Sequence, residues 1–466
     1  LLANPAASSG ECARCFGSCR LEKSKDRIMT YFRIIFIAFI AVIISLTGQE
    51  ESLAGYDYID INSPFLRKIP IAVPLFKAKA ESISDSNMQI SGKASDMLSG
   101  MLDFTGYFKM LDRQSFLEDP SKAETTATNI DFHNWTAVGA ELLVTGEFQV
   151  RGDVFEIDLR LFDTIKSSQL IGKKYTTGVN DLRDVMRRFS GEIVFYLTGN
   201  RGVFDSRIAF VSNGTGSKEI YTCEFDGVNI RPFTRNNSIT LFPAWSSDGK
   251  WIAYTSYLKG NPDLYIKNVD DGSVSVVTNK GINITPAWVP GKFELAATLS
   301  YSGDQDIYLL TGNGKVIKKL TNERGSDVSP SWSPDGKKMA FVSSRSGTPQ
   351  IYVQDIEAGH AERLTFNGRY NTQPSWSPKG DKIAYSGMDG GRHNIYLIGL
   401  DGKDPVQLTR NGGDNESPSW SLDGSLIVFS STREGPSRIY MMTSHGTDQR
   451  RLIAISGEQT NPKWSP

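Results

Sequence analysis

"RYNTQPSWSPKGDKIAYSG", residues 369–387, holds a polar loop, a proline, a tryptophan, a tight turn and a short run of alternating apolar residues. The chain spells this phrase six times with small variations. The copies are Pro243-Ala-Trp245, Pro286-Ala-Trp288, Pro330-Ser-Trp332, Pro374-Ser-Trp376, Pro418-Ser-Trp420 and Pro462-Lys-Trp464. Their tryptophans are spaced 43, 44, 44, 44 and 44 residues apart. A fixed period of this length with four strand-like runs per unit is the signature of propeller blades, small sheets that bury their faces against their neighbours. Helical solenoids of similar period are excluded, because each unit alternates with period 2 and is studded with Gly, Asp and Pro.

One unit shows the parts. "SPSWS" reads as a strand, "PDG" as a turn, "KKMAFVSS" as a strand, "RSGTP" as a loop, "QIYVQDI" as a strand, "EAGH" as a turn and "AERLTF" as a strand. Ser-Pro-Asp-Gly is a type I turn phrase. Two units bend it: Trp288 is followed by Val289-Pro290-Gly291, which reads as one residue short, and Trp420 by Ser421-Leu422-Asp423-Gly424, so both turns are expected to differ locally. Before the first tryptophan lies a partial unit, "RIAFVS" (207–212), "EIYTCEF" (219–225) and "IRPFT" (230–234), which lacks an opening strand. After the last tryptophan the chain runs only to Pro466, so the strand 460–466 is expected to complete the sheet begun at Arg207 and close a six-bladed ring without open edges. The tryptophans are assigned to packing between blades.

The rest of the 466 residues organises around this ring. Forty-three glycines and twenty prolines suit many short elements, the net charge of −1 gives no nucleic-acid or anionic-membrane signature, and the fold is expected to be mainly β. Ile34 to Leu46 is apolar, preceded by Arg33 and followed by Ser52-Leu53-Ala54. It is short for a span of about 20 residues and suits a secretory signal, so residues 1–54 are read as signal peptide with an upstream extension, starting at Met29 and cleaved after Ala54. Cys12, Cys15 and Cys19 fall in that discarded part, and Cys223 alone remains, without a disulfide partner.

Residues 55–200 carry none of the repeat and read as a small α+β domain. Strands are expected over 68–76 and 108–112, helices over 88–107 and 181–199, a short helix in "DFHNWTAVGA", and a hairpin across Arg151-Gly152-Asp153. Residues 199–205 form the link to the ring, 201–466.

In such rings function sits on loops at the channel mouth, here the segments before each Pro-x-Trp. Five residues before the tryptophan stand Thr240, Asn283, Asp327, Asn371, Asn415 and Gln459; three before stand Phe242, Thr285, Ser329, Gln373, Ser417 and Asn461. The polar ones either cap the turn into the strand or rim the tunnel with hydrogen-bonding groups suited to a peptide or protein guest. No nucleophile elbow, P-loop or dinucleotide fingerprint appears, and His133, His360, His393 and His445 lack ligand spacing. No catalytic residue, metal or cofactor is expected. The alternative is a propeller-type hydrolase or small-ligand enzyme acting in the channel, although the separate catalytic domain of propeller peptidases is not found in these residues.

An export signal, a small α+β domain and six "PxWSPDGKxIAFxS…IYxxD…LT" units together resemble the TolB family, periplasmic propeller proteins of the Tol–Pal system. The likeness covers roughly residues 55–466. It implies a monomeric periplasmic protein, not an enzyme, that binds the lipoprotein Pal over the propeller mouth and the inner-membrane protein TolA through its mature N-terminal segment. Outer-membrane integrity, constriction at cell division, protein import and contacts with other envelope proteins follow from the same resemblance. It puts Pal contacts at Ile282, Thr285 and Val328, and extends the surface to the symmetry mates, including Thr372 and Glu416. The TolA segment would be "GYDYIDIN" (55–62), with Tyr56, Asp57, Tyr58, Ile59, Asp60 and Ile61 forming a strand that can add to a partner's sheet.

Overall fold

Alternating apolar residues between glycine turns build the same four-stranded antiparallel sheet again and again. A computed structural model of the chain describes residues 67–79, 85–117, 119, 124–278, 281–301, 303–410 and 412–466. The expected signal sequence, its cysteines and the segment 55–62 lie outside the described residues. The first complete blade runs through strands Thr240–Trp245, Trp251–Ser256, Asp263–Asn268 and Val274–Val277. Four further blades open with Asn283–Trp288, Asp327–Trp332, Tyr370–Trp376 and Asn415–Trp420. The sixth is shared between the ends of the ring. Gln459–Trp464 pairs antiparallel with Arg207–Ser212, which pairs with Glu219–Glu224 and then Arg231–Pro232. The fold is mainly β, a six-bladed propeller preceded by a small α+β domain.

Each of the six repeat tryptophans is 6–8% exposed and packs at a joint between blades. In four of the six the indole N–H donates to the backbone carbonyl one residue before the preceding blade's tryptophan: Trp288 to Ala244 (3.1 Å), Trp332 to Ala287 (3.0 Å), Trp420 to Ser375 (3.0 Å) and Trp245 to Lys463 (3.2 Å), whereas the buried Trp376 Nε1 has no hydrogen-bond partner among the described residues. Trp464 departs from this pattern and donates to Ser206 Oγ at 2.6 Å, tying the closing strand to the linker between the domains. The turn after Trp288 is not short. Trp288 pairs with Leu295 as Trp245 pairs with Ile252, seven residues on in both, and the turn glycine has moved one position earlier, to Gly291 with φ 70°. The Trp420 turn also keeps its left-handed glycine, Gly424 at φ 69°, with Ser421 Oγ donating to Asp423 at 2.6 Å.

The first domain is a sheet in the order Phe108–Met110, Ile69–Ala72, Leu142–Arg151, Val154–Asp163, Ser168–Gly178, with Lys77–Ala78 beside the third strand. The expected strand 68–76 breaks after Ala72. Pro74 has no N–H to donate to a ladder. The first helix is Asp85–Phe104, three residues earlier than its apolar spacing suggested, and the chain turns at Gly106 with φ 76°. The last helix, Leu182–Thr198, ends on Gly199 in the left-handed conformation, but its N-cap Asp181 makes no side-chain cap. Ser168–Gly178, the strand that sequence reasoning missed, is polar or exposed over most of its length.

One apolar core runs from this domain into the ring. Phe104 and Phe204 both meet Phe225 edge to face, at 5.2 and 5.3 Å, and the same cluster holds Ile208, Met441 and Trp464. Arg183 binds Glu224 and Asp226 at 2.6 and 2.8 Å, Arg450 binds Asp103 at 2.9 Å, and Lys68 binds Asp448 at 2.5 Å. All these ring residues lie at the tryptophan end of the inner strands. The opposite face, where each inner strand begins, is left to the loops.

Candidate functional site

The channel wall is made by the six inner strands, and proline shapes each of them. Two residues before every tryptophan the proline ring removes a ladder N–H, and in every blade the pairing slips there: Leu241 faces Thr255 but Ala244 faces Ala253. The same bulge recurs in the other five blades. The residue before the proline takes a left-handed conformation in all six: Phe242 (φ 54°), Thr285 (50°), Ser329 (56°), Gln373 (53°), Ser417 (56°) and Asn461 (48°). A non-glycine residue there costs on the order of 1–3 kcal/mol, so the ring stores this strain six times.

The bulge aims these six side chains into the channel. With the six prolines and Lys463 they line a cavity of about 70 Å³, room for a few waters or one small ion. They also link blade to blade. Ser329 N donates to Thr285 Oγ1 (3.3 Å), Ser417 N to Gln373 Oε1 (2.9 Å) and Asn461 Nδ2 to Ser417 Oγ (3.2 Å).

The residues five before the tryptophan do not rim the tunnel. Thr240, Asn283, Asp327, Asn371, Asn415 and Gln459 are all at most 2% exposed, locked into the joints between blades. Asn371 Nδ2 donates to Gln350 Oε1 (2.8 Å) and Asn367 O (2.7 Å), and Asn283 Nδ2 to Pro262 O (3.2 Å). Asn415 donates to Gly412 O (3.1 Å) and accepts from Arg433 (2.9 Å). Gln459 Nε2 reaches the carbonyls of Ile455 and Ser456, both at 3.2 Å. Asp327 meets Arg345 at 2.9 Å; burial still pushes its carboxyl above the usual range, with Ser343 and Arg345 pulling the other way. A local capping role, the first of the two readings of these positions, is what the geometry gives.

Ile282, Val328, Thr372 and Glu416 are half-buried. Val328 packs against the apolar cluster of Trp376, and Glu416 lies 3.6 Å from His393 Nδ1. Among the described residues no three His, Cys, Asp or Glu side chains form a group that could hold a metal ion. No described helix is long and apolar enough to cross a membrane.

Two features escaped sequence reasoning. One is Lys463, at the position held by Ala244, Ala287, Ser331, Ser375 and Ser419 in the other blades; the repeat alignment itself carried that signal. The other is a set of exposed apolar side chains on the loop face, Ile239, Leu258, Tyr301, Phe366 and Tyr370, between 40 and 66% exposed. They lie outside the repeat's fixed positions, so periodicity did not mark them.

Comparison with known proteins bears on both domains. The family described as TolB beta propeller domain matches residues 195–466, and that described as TolB amino-terminal domain matches residues 57–170. The Tol-Pal system protein TolB of Desulfosudis oleivorans is 56% identical over 272 residues, 58% of this chain and 62% of that protein. The protein TolB homolog of Chlorobaculum tepidum is 47% identical over 224 residues, 48% of this chain and 50% of that one. The matched stretch therefore spans only about half to three fifths of these relatives. The crystal structure of TolB from Acinetobacter baumannii superposes with a TM-score of 0.74 at 27% identity, covering 86% of this chain and 97% of that one.

Proposed function

Because this chain belongs to the TolB family, we propose that it is a periplasmic component of the Tol–Pal system that binds Pal across the loop face of the propeller and TolA through residues 55–62, and is not an enzyme. In that role it supports outer-membrane integrity and constriction during division.

The observation that carries the Pal assignment is the exposed apolar set on the loop face, opposite the docked first domain. Ile239, Leu258, Tyr301, Phe366 and Tyr370 come from loops of neighbouring blades around the mouth. Exposed aromatic and branched side chains grouped on one face are what a protein partner uses as anchors. Phe366 is also stacked by the Arg363 guanidinium at 4.9 Å, which holds an otherwise loose ring in place. The six strained residues behind it make a stiff floor, so little ordering is needed on docking.

Coupling between the two partners has a route in the core that the first domain shares with the closing blade. Pal at the mouth alters how the first domain holds its leading segment, and the effect must be reciprocal.

Titration calorimetry with the soluble Pal domain tests the assignment. The double variant Phe366→Ser, Tyr370→Ser is expected to weaken binding by about tenfold or more, whereas Leu422→Ser, on the opposite face, leaves it unchanged. Full affinity in the double variant sinks the loop-face reading. Deleting residues 55–62 is expected to abolish TolA binding and shift Pal affinity; unchanged affinity for both proteins removes the switch.

A further inference from the structure

The residue before the tryptophan points along the channel wall toward the next blade. In two of the serine blades the hydroxyl stops there: Ser331 Oγ accepts the backbone N–H of Trp376 and Ser419 Oγ that of Trp464, each at 3.0 Å. A lysine at this place is too long to end on the wall, and Lys463 continues into the channel cavity and becomes part of its lining.

Its surroundings are unusual for an ammonium. Lys463 Nζ makes no hydrogen bond and no ion pair with any described residue, and the cavity lining contains no Asp or Glu. The other lining groups are prolines, Phe242, hydroxyls and side-chain amides. Some of these are donors in waiting: Gln373 Oε1 is taken by Ser386 Oγ and Ser417 N, which turns its NH2 the other way. A hard divalent cation would need several oxygen ligands, carboxylates foremost, and would face a fixed positive charge here. Burial without a counter-charge pushes the Lys463 amine down to about 8, so at neutral pH it is still mostly charged.

We infer that the propeller channel of this chain is an anion site, in which Lys463 Nζ takes a carboxylate or a small oxyanion, with side-chain donors such as Gln373 Nε2 in the same lining. The anion has two sources, a free inorganic ion or an acidic side chain of a protein docked across the mouth. The first needs no partner, so it stands or falls separately from the Pal assignment.

Both sources can be read in one series on the mature chain with Lys463→Met, which keeps the stem and removes the charge, and Lys463→Arg, which keeps the charge. Crystals of each protein are soaked in bromide and its anomalous signal is located. In parallel, affinity for the soluble Pal domain is measured. A free-anion site shows bromide in contact with Lys463 Nζ in the parent protein and none in the channel of Lys463→Met. A partner carboxylate shows instead as a loss of about tenfold to a hundredfold in Pal affinity on Lys463→Met, restored by Lys463→Arg. The inference is overturned if bromide occupies the Lys463→Met channel as before, or if neither readout depends on residue 463.

Discussion

Lys463→Met should make this protein more stable at neutral pH, although it alters a half-buried residue in the lining of the channel. The folded protein holds the Lys463 amine at about 8 against an ordinary 10.5. At about 1.4 kcal/mol for each pH unit, keeping the amine charged in the channel costs about 3 kcal/mol. The side chain keeps some access to the channel space, which trims the expected gain to about 2–3 kcal/mol, or very roughly 5 °C in Tm. The sign follows from the folded value lying below the unfolded one. The fold prefers the neutral amine, so this residue's contribution is complete above about pH 10.5 and is lost as the pH falls through 8. Methionine has nothing to titrate. The variant should therefore lead the parent protein by its full margin at pH 7, with the gap closing between pH 8 and pH 10.5. Urea unfolding of both proteins across that range, in buffers of large anions that the cavity excludes, gives the difference directly. A variant that is less stable at pH 7, or a gap that does not change with pH, refutes the reasoning. Adding a small anion should raise the parent protein alone and narrow the gap.

Two further outcomes concern the joints and the wall. Arg345→Met leaves the Asp327 carboxyl, 1% exposed, without its 2.9 Å counter-charge, at an expected cost of about 3–5 kcal/mol, most of which the added change Asp327→Asn should recover. Because burial raises the Asp327 value, its protonated form is the one the fold favours, so thermal scans should show the Arg345→Met penalty shrinking as the pH is lowered into the carboxylate range and growing above it. Phe242→Asn puts a residue tolerant of the left-handed region at φ 54° and should raise the free energy of unfolding by up to about 1 kcal/mol, read by urea titration; a loss would mean that the Phe242 ring packs in the channel more than its strain costs.

The architecture was legible because it is periodic. Six copies of one phrase fix the blade number, and the missing opening strand before Arg207 together with the surplus strand after Gln459 fix how the ring closes. Each of these is a local pattern that only one topology satisfies. The first domain was legible where its elements are amphipathic, as in Asp85–Phe104, and illegible at Ser168–Gly178, which alternates weakly because much of it faces solvent.

What only the tertiary structure decided is the direction of side chains along the inner strand. In a regular strand, residues five and three before the tryptophan share a face, so both sets were candidates for the rim. The bulge at each proline breaks that alternation: Asn371 and its mates turn into the joint between blades, while Gln373 and its mates turn into the channel. The proline was in plain view, but its consequence depends on a slip in pairing with the second strand and on a left-handed φ, neither of which a list of residues specifies. For the same reason Lys463 read as one more variable residue. Its meaning is set by a cavity in which its amine meets no counter-charge among the described residues, and six strands must close around that cavity before it exists.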